Sequence, residues 1–393
     1  MNINSSNAIR PCTSCQMCGA VCPKNAISIK LDEEGFYRPS VNASLCIDCG
    51  LCVSYCYKFD ENIEKTNQDE LNNFIHYAAY ANQISITKET TSGGIADILA
   101  KHLIKSGFKV IGVEFDCKTN SAQHKVANNI EETHAFRGSK YIQSYAVSAF
   151  RFLVKQCKKE KFAVFGLPCQ IYSLAKYLEK NNRRKNCVLI DLYCHGCPSM
   201  LVWEKVSDNV RKKMNVSHFD KVVFRSKKKG WGKFVLEIKA KRKSYLSTPF
   251  HNEFYDLFFS NQVLNESCFD CELRSTLSYT DIRLGDFWGP KFKTNNKGVS
   301  GVTVVTEKGK LVFNEISDAI NTTQIPLTSF LPYQSWGHKY NCNKDLRAKT
   351  FSILKTKNSN IKNAVSIVNN RRSLKDKIKI LAKQVLFMLN INF

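Results

Sequence analysis

Cys12-Thr-Ser-Cys15-Gln-Met-Cys18-Gly-Ala-Val-Cys22-Pro23 and, 34 residues later, Cys46-Ile-Asp-Cys49-Gly-Leu-Cys52-Val-Ser-Tyr-Cys56-Tyr57 decide the fold of the first 60 residues. Both read C-x2-C-x2-C-x3-C, an internal repeat of one cluster-binding unit. Three thiolates two residues apart wrap three corners of a cube in one tight loop. The fourth starts a short helical turn and points toward the other cluster, as in two-cluster ferredoxins. This assigns Cys12, Cys15, Cys18 and Cys56 to one [4Fe–4S] cluster and Cys46, Cys49, Cys52 and Cys22 to a second. Zinc ribbons pair C-x2-C units around one ion and do not place four cysteines in eleven residues twice. The second run ends in Cys56-Tyr57 where the ferredoxin pattern has Cys-Pro, which costs a turn-stiffening proline but no ligand. Between the runs, Ala26 to Lys30 alternate as a short strand, and Asp32 to Gly35 make a polar turn. So small a core is held largely by its metal.

The rest of the chain sets the context. It has 393 residues and 17 cysteines, eight of them before residue 57. Met1 to Arg10 lack the apolar stretch of a signal peptide, and no apolar run approaches the roughly 18 residues of a membrane span. A cytoplasmic location is expected, where such cysteines mean metal or redox chemistry rather than disulfides. The formal net charge is +24. It suits an anionic membrane or an acidic protein partner, and a Lys/Asn-rich composition produces it equally well. No nucleic-acid-binding motif accompanies it, so nucleic acid is not expected.

From about residue 75 the patterning becomes that of an ordinary α/β domain. Residues 109–115, 162–167 and 188–193 read as buried strands. Residues 146–158, 171–179 and 200–211 read as helices. Residues 234–239, 281–284 and 302–306 alternate more, so the sheet is expected to be mixed. Polar signatures follow strand ends: Gly166 to Gln170 after one, Cys194-His195-Gly196 after another. Ligands of α/β sheets sit at such ends. Thr91-Ser92-Gly93-Gly94 precedes a helix with Ile95, Ile98, Leu99 and Leu103 on one face, stopped near Gly107. No GxGxxG or P-loop pattern is present. Arg137-Gly138-Ser139-Lys140-Tyr141 packs two cations, a hydroxyl and a glycine into five residues, as a phosphate, a reduced flavin or a solvated turn would want.

These stretches carry a family resemblance. Ser92-Gly93-Gly94, Arg137 to Tyr141, Pro168-Cys169-Gln170, Asp191 to Ser199, Cys268-Phe-Asp-Cys271 and Asp281 to Gly289 run in order over residues 80–305. In this the chain resembles the family of coenzyme F420 hydrogenase/dehydrogenase beta subunits, to which 7-hydroxymethyl chlorophyll a reductase is related. The resemblance implies an FAD-binding domain with a third [4Fe–4S] cluster beside the flavin, on Cys169, Cys194, Cys268 and Cys271. It implies that Ser92, Gly93, Gly94 and Arg137, Gly138, Ser139, Lys140 and Tyr141 hold the FAD. His195 and Lys140 are the candidates for proton delivery. Cys197 departs from the family pattern and creates a Cys194-x2-Cys197 pair, which with Cys268 and Cys271 could bind zinc instead. Cys117, Cys157, Cys187 and Cys342 read as buried structural thiols.

The expected fold is thus α+β. A dicluster ferredoxin domain (1–62) precedes a mixed α/β flavin-binding domain in two parts (75–160 and 161–335), and a basic helical tail follows (336–393). The expected function is an iron–sulfur flavoprotein oxidoreductase. It would pass electrons between an acidic ferredoxin-like carrier, its clusters, FAD and a small molecule, F420 or another. An electron-transfer subunit of a larger complex and a cluster-stabilised scaffold are the alternatives. In the tail, Ser373 and Asp376 start a helix on which Leu374, Ile378, Leu381, Val385 and Met388 recur among basic residues. Such a helix lies on an anionic membrane or packs on the protein's own core.

Overall fold

The computed structural model describes residues 1–249, 252–292 and 294–370, with Ile378, Leu381, Ala382 and Val385 beyond them. Near the N-terminus, β1 (Ile27–Leu31) and β2 (Tyr37–Val41) form an antiparallel hairpin. Its turn is closed by the Asp32 carboxylate, which accepts from Glu34 N at 3.0 Å and Phe36 N at 2.9 Å. Each cysteine run opens a short helix, Met17–Val21 in the first and Leu51–Ser54 in the second.

The body is a nine-stranded mixed sheet. Its strands are β3 (Ile75–Ala81), β4 (Phe108–Asp116), β5 (Ser121–Ala127), β6 (Ser144–Tyr145), β7 (Lys161–Phe165) and β8 (Cys187–Leu192). A separate three-stranded antiparallel sheet holds β9 (Lys221–Ser226), β10 (Val235–Ala240) and β11 (Lys243–Leu246). The main sheet is completed by β12 (Ile282–Asp286), β13 (Ser300–Val304) and β14 (Ile320–Gln324). Its order is β14-β3-β13-β12-β8-β7-β4-β5-β6. β4, β7, β8 and β12 run parallel, so their carboxyl ends open on one side of the sheet. The flanking pairs β4–β5, β12–β13, β13–β3 and β14–β3 are antiparallel, giving the mixed sheet that the alternating segments predict.

The predicted strands and helices fall within a few residues of the observed ones. The helix expected at 171–179 begins earlier, at Pro168. Proline suits a first helical position because its missing N–H needs no partner there. Leu167 N then donates to Gln170 Oε1 at 2.9 Å, closing the start. Of the four thiols expected to be buried, Cys157 and Cys187 are, whereas Cys117 and Cys342 are only half-buried.

The N-terminal unit is not a bead on a string. Buried Met17, Val21, Tyr55 and Tyr57 share one core with Phe150, Leu174 and Leu178, which lie on the helices Val147–Gln156 and Pro168–Lys180. Gln16 reaches across at both ends of its amide, donating to Ser144 O and accepting from Ala146 N, each at 2.7 Å. Arg347 pairs with Glu34 at 2.6 Å. Thr66, beyond the unit, is held by Ser275 O and Leu277 N at 2.9 and 2.8 Å. Most of the predicted tail helix, including Ser373, Leu374, Asp376 and Met388, lies outside the described residues. Ile378, Leu381 and Val385 are helical and exposed. No helix among the described residues is long and apolar enough to cross a membrane.

Candidate metal centres and active-site cavity

The two N-terminal runs curl by the same device. Ser14 and Gln16 in the first, and Asp48 and Gly50 in the second, are left-handed, with φ of 62°, 67°, 48° and 75°. They occupy equivalent places between the cysteines. A left-handed residue costs a non-glycine roughly 1–2 kcal/mol, so adopting it at Ser14, Gln16 and Asp48, with Gly50 spared that cost, means that the inward-facing loop is the point of the conformation. Cys12, Cys15, Cys18 and Cys56 line one small cavity with Ile3, Met17, Ile29 and Tyr37. Cys52 has Cys49 and Cys22 as charged neighbours, and burial raises its thiol. Cys56 therefore faces the first three cysteines of the other run, and Cys22 neighbours Cys52. Donors are aimed at sulfur as well: Ala26 N lies 3.2 Å from Cys22 Sγ, and Asn2 Nδ2 lies 3.8 Å from Cys46 Sγ.

The two sets differ in depth. Cys15 and Cys18 are buried, whereas Cys49 is exposed and flanked by exposed Leu45 and Ile47. The inner set abuts the body. Cys15 Sγ lies 3.5 Å from Ser173 Oγ, one helical turn beyond Cys169 on the same helix.

Cys169 in the first turn of that helix, Cys194 after β8, and Cys268 with Cys271 come from three separate segments and gather together. Burial raises the Cys169 thiol well above its ordinary value, and Cys15, Cys194, Cys271 and Cys268 raise it further as like charges. Burial pushes Cys194 up to about 12. Thiols crowded this way are stable as thiolates only with a cation among them. Arg274, buried, donates to Cys194 O at 3.1 Å, His195 O at 2.6 Å and Cys268 O at 2.7 Å, clamping two of the three segments. Its guanidinium would also offset the negative charge of a thiolate-held cluster, were one bound there. Among the described residues no three His, Cys, Asp or Glu side chains converge as they would on a single ion; a four-iron cluster spreads its ligands over four metals. Cys197, also buried, neighbours Cys268 and Cys194.

Above this set, at the carboxyl ends of β7, β8 and β12, opens a cavity of about 450 Å³. Ligand pockets are typically ~300–1,000 Å³. Its walls bring together most of the predicted organic-cofactor residues: Ser92, Gly94, Arg137, Gly138, Ser139, Lys140 and Tyr141, with Cys194, His195 and Cys197 at its base. Gly93 lies behind the wall, where a side chain would collide with the carbonyl of Ala79. Thr91 joins the glycine turn to the second loop, its hydroxyl accepting from Ser139 N at 2.6 Å.

The candidate side chains have definite partners. Arg137 is bidentate on buried Asp97, at 2.8 and 3.3 Å, and also pairs with Glu89. It pins its loop to the helix Ile95–Lys105 rather than pointing at the cavity as a free cation. Lys140 Nζ donates to Ala135 O and Arg137 O at 3.1 and 2.9 Å, and burial lowers it to about 7. Both ring nitrogens of His195 are engaged, by Asn261 Oδ1 at 2.8 Å and Tyr340 OH at 3.0 Å, and burial lowers the ring to about 4.

The Asp281–Gly289 stretch proves mainly architectural. Arg283 and Asp191 form a fully buried pair at 2.5 and 2.9 Å, and Asp281 accepts from Leu189 N at 2.8 Å. Of this stretch, Leu284, Gly285, Asp286 and Trp288 line the cavity. A Cβ on Gly285 would stand 2.7 Å from Gln334 Oε1 and 3.1 Å from the Tyr193 ring, so a side chain there would displace Gln334 and press on Tyr193. Asp286 pairs with Arg225, whose guanidinium stacks on Phe234 and Trp288 at 4.3 and 5.0 Å. Arg225, Arg274 and Asn261 are absent from the sequence reading. A lone Arg or Asn carries no spacing signal, and only the fold gives each its partners.

Comparison with known proteins follows the same division. Residues 159–328 match the family described as the C-terminal part of the coenzyme F420 hydrogenase/dehydrogenase beta subunit. Residues 11–60 match the 4Fe-4S dicluster domain. Over these stretches the family resemblance read from the motifs is shown, and the N-terminal match is to an iron–sulfur domain. A protein of Methanosarcina mazei, the F subunit of F(420)H(2) dehydrogenase, is 23% identical over 330 residues, covering 80% of this chain and 85% of that protein. A chain of the F420-reducing [NiFe] hydrogenase complex from Methanosarcina barkeri is 17% identical. That alignment covers 79% of this chain and 92% of the other, with a TM-score of 0.47.

Proposed function

We propose that the chain is an FAD- and [4Fe–4S]-dependent oxidoreductase that relays single electrons between its exposed cysteine set and a hydride-exchanging cavity. The observation that carries this reading is contiguity. The exposed set adjoins the buried set, Cys15 touches the helix bearing Cys169, and Cys194 lines the cavity. FAD would supply the step that joins a two-electron hydride to one-electron carriers. Cys169, Cys194, Cys268 and Cys271 would hold the third cluster. The turn Ser92–Gly94 and the loop Arg137–Tyr141 would hold the FAD, with Arg137 and Thr91 positioning the loop.

Lys140, poised near neutrality, is the group that can hold or release a proton at Nζ beside the cavity. His195, bonded at both nitrogens, serves as a positioning residue under the cavity rather than as a proton donor. Phe234, Phe258, Phe259 and Trp288 exclude water from the cavity and suit a flat ring. The substrate is a small hydride donor or acceptor, with F420 as the first to try. The carrier would exchange electrons at the face around Cys49, Leu45 and Ile47.

A second reading, an electron-input subunit of a larger complex, is favoured by the name of the similar Methanosarcina mazei protein, itself one subunit of a dehydrogenase. It leaves the internal route unchanged. Anaerobically purified protein should contain about 12 iron atoms, from three four-iron clusters, and release one FAD on denaturation. F420H2, NADH and NADPH are then tested as reductants. FMN, no flavin, or about eight irons with one zinc would overturn the corresponding assignment.

A further inference from the structure

The ferredoxin pattern has proline after the last cysteine of a run, and Pro23 follows Cys22, but Tyr57 follows Cys56. The tyrosine is only 1% exposed. It stands edge-on to Tyr172 at 6.0 Å, on the helix that begins with Pro168-Cys169. Its hydroxyl accepts from Glu272 N at 3.2 Å, the residue next to Cys271. Cys271 is a charged neighbour of the phenol, which burial raises above its ordinary value. Arg10 reinforces the joint, with its guanidinium 5.1 Å from the Tyr57 ring centre and paired to Glu272 at 3.0 Å. One side chain thus runs from a residue bonded to an inner-set cysteine to a backbone N–H beside a third-set cysteine. Proline at 57 could do neither, having no hydroxyl and no ring of that reach.

We propose that Tyr57 is a positioning residue that fixes the inner cysteine set against the Cys169/Cys194/Cys268/Cys271 set and so governs electron passage between them. This rests on the proposed third cluster. The step is a one-electron exchange: the inner cluster loses the electron that the third gains, and no bond is made or broken. The Tyr57 hydroxyl holds the Glu272 N–H, and the ring keeps water out of the joint.

The test uses full-length, cluster-loaded protein and the variants Tyr57→Phe and Tyr57→Pro. Iron content comes first, then electron paramagnetic resonance of the dithionite-reduced protein, then thermal melting. Wild type should contain about twelve irons and show magnetic interaction between the inner and third clusters. Tyr57→Phe should keep its iron and the individual cluster signals but weaken that interaction. Tyr57→Pro should abolish it. If Tyr57→Pro fails to accumulate, Tyr57→Phe decides. A merely structural tyrosine would lower the melting temperature and leave the interaction unchanged, which overturns the proposal. About eight irons in wild type would instead remove the third cluster, and the coupling with it.

Discussion

In residues 11–60, eight cysteines stand in two matching runs, and the backbone turns left-handed at the same two places in each. In the body, the four cysteines of the third set come from three segments, one of them a helix start, spread from residue 169 to residue 271. The first arrangement is local: each loop closes over a few residues, so its spacing is fixed by the shape of the cluster. The second is held by the fold, through the starts and ends of strands and helices and the Arg274 clamp. Charge divides the regions too. Residues 1–62 hold five basic and six acidic side chains, and the remainder hold 53 and 28. The large positive charge therefore belongs to the body and not to the exposed cysteine face, where an acidic carrier would have to find it.

Deleting the module is the most severe way to break the comparison. A chain starting at Asn67 would lose Met17, Val21, Tyr55 and Tyr57 from a shared core. At ~1.5–3 kcal/mol per buried side chain, that is roughly 6–12 kcal/mol, the size of a whole domain's stability. The expected outcome is insoluble protein with no cooperative melt by circular dichroism. A soluble, cooperatively melting body would show the two regions to be independent.

A smaller effect is expected from Lys140→Met. Burial holds the folded amine near 7, while in the unfolded chain it titrates at ~10.4. The unfolded state then binds more protons between about pH 7 and 10, so stability should rise with pH over that window. Urea midpoints measured across it should rise for wild type and run flatter for the variant. Parallel curves would mean that Lys140 is solvated like any surface lysine.

Smallest of all is the expected response to salt. If an acidic ferredoxin reacts at the face around Cys49, raising ionic strength should change its rate by less than about twofold, because that face has little net charge to screen. A steep fall would move the docking site onto the basic body.

The dicluster domain was legible almost completely, because cluster geometry writes itself into residue spacing. The central strands were legible from apolar runs. The sheet's outer strands were not: β3 (IHYAAYA), β5 (SAQHKVA) and β14 (INTTQ) carry too few large apolar residues to stand out and are fixed by pairing with neighbours. The glycine turn and the Arg137–Tyr141 loop were found as motifs, yet the role of Arg137 was not. Its carboxylate partners, Glu89 and Asp97, lie 48 and 40 residues away and mark it as a brace for the loop.

The burial of Cys15 and Cys18 against the helices Val147–Gln156 and Pro168–Lys180 bears on how the protein is made. Synthesis runs from the N-terminus, and early segments fold first. All eight cysteines of the module have emerged by residue 56, about a hundred residues before the helices that cover them. Iron delivered in that interval would meet the inner set before the helices cover Cys15 and Cys18, whereas Cys12 and Cys56 stay half-buried in the folded chain. A chain that finishes synthesis without iron would have to reopen its own core to receive it, so metal starvation should leave misassembled protein that later iron does not rescue.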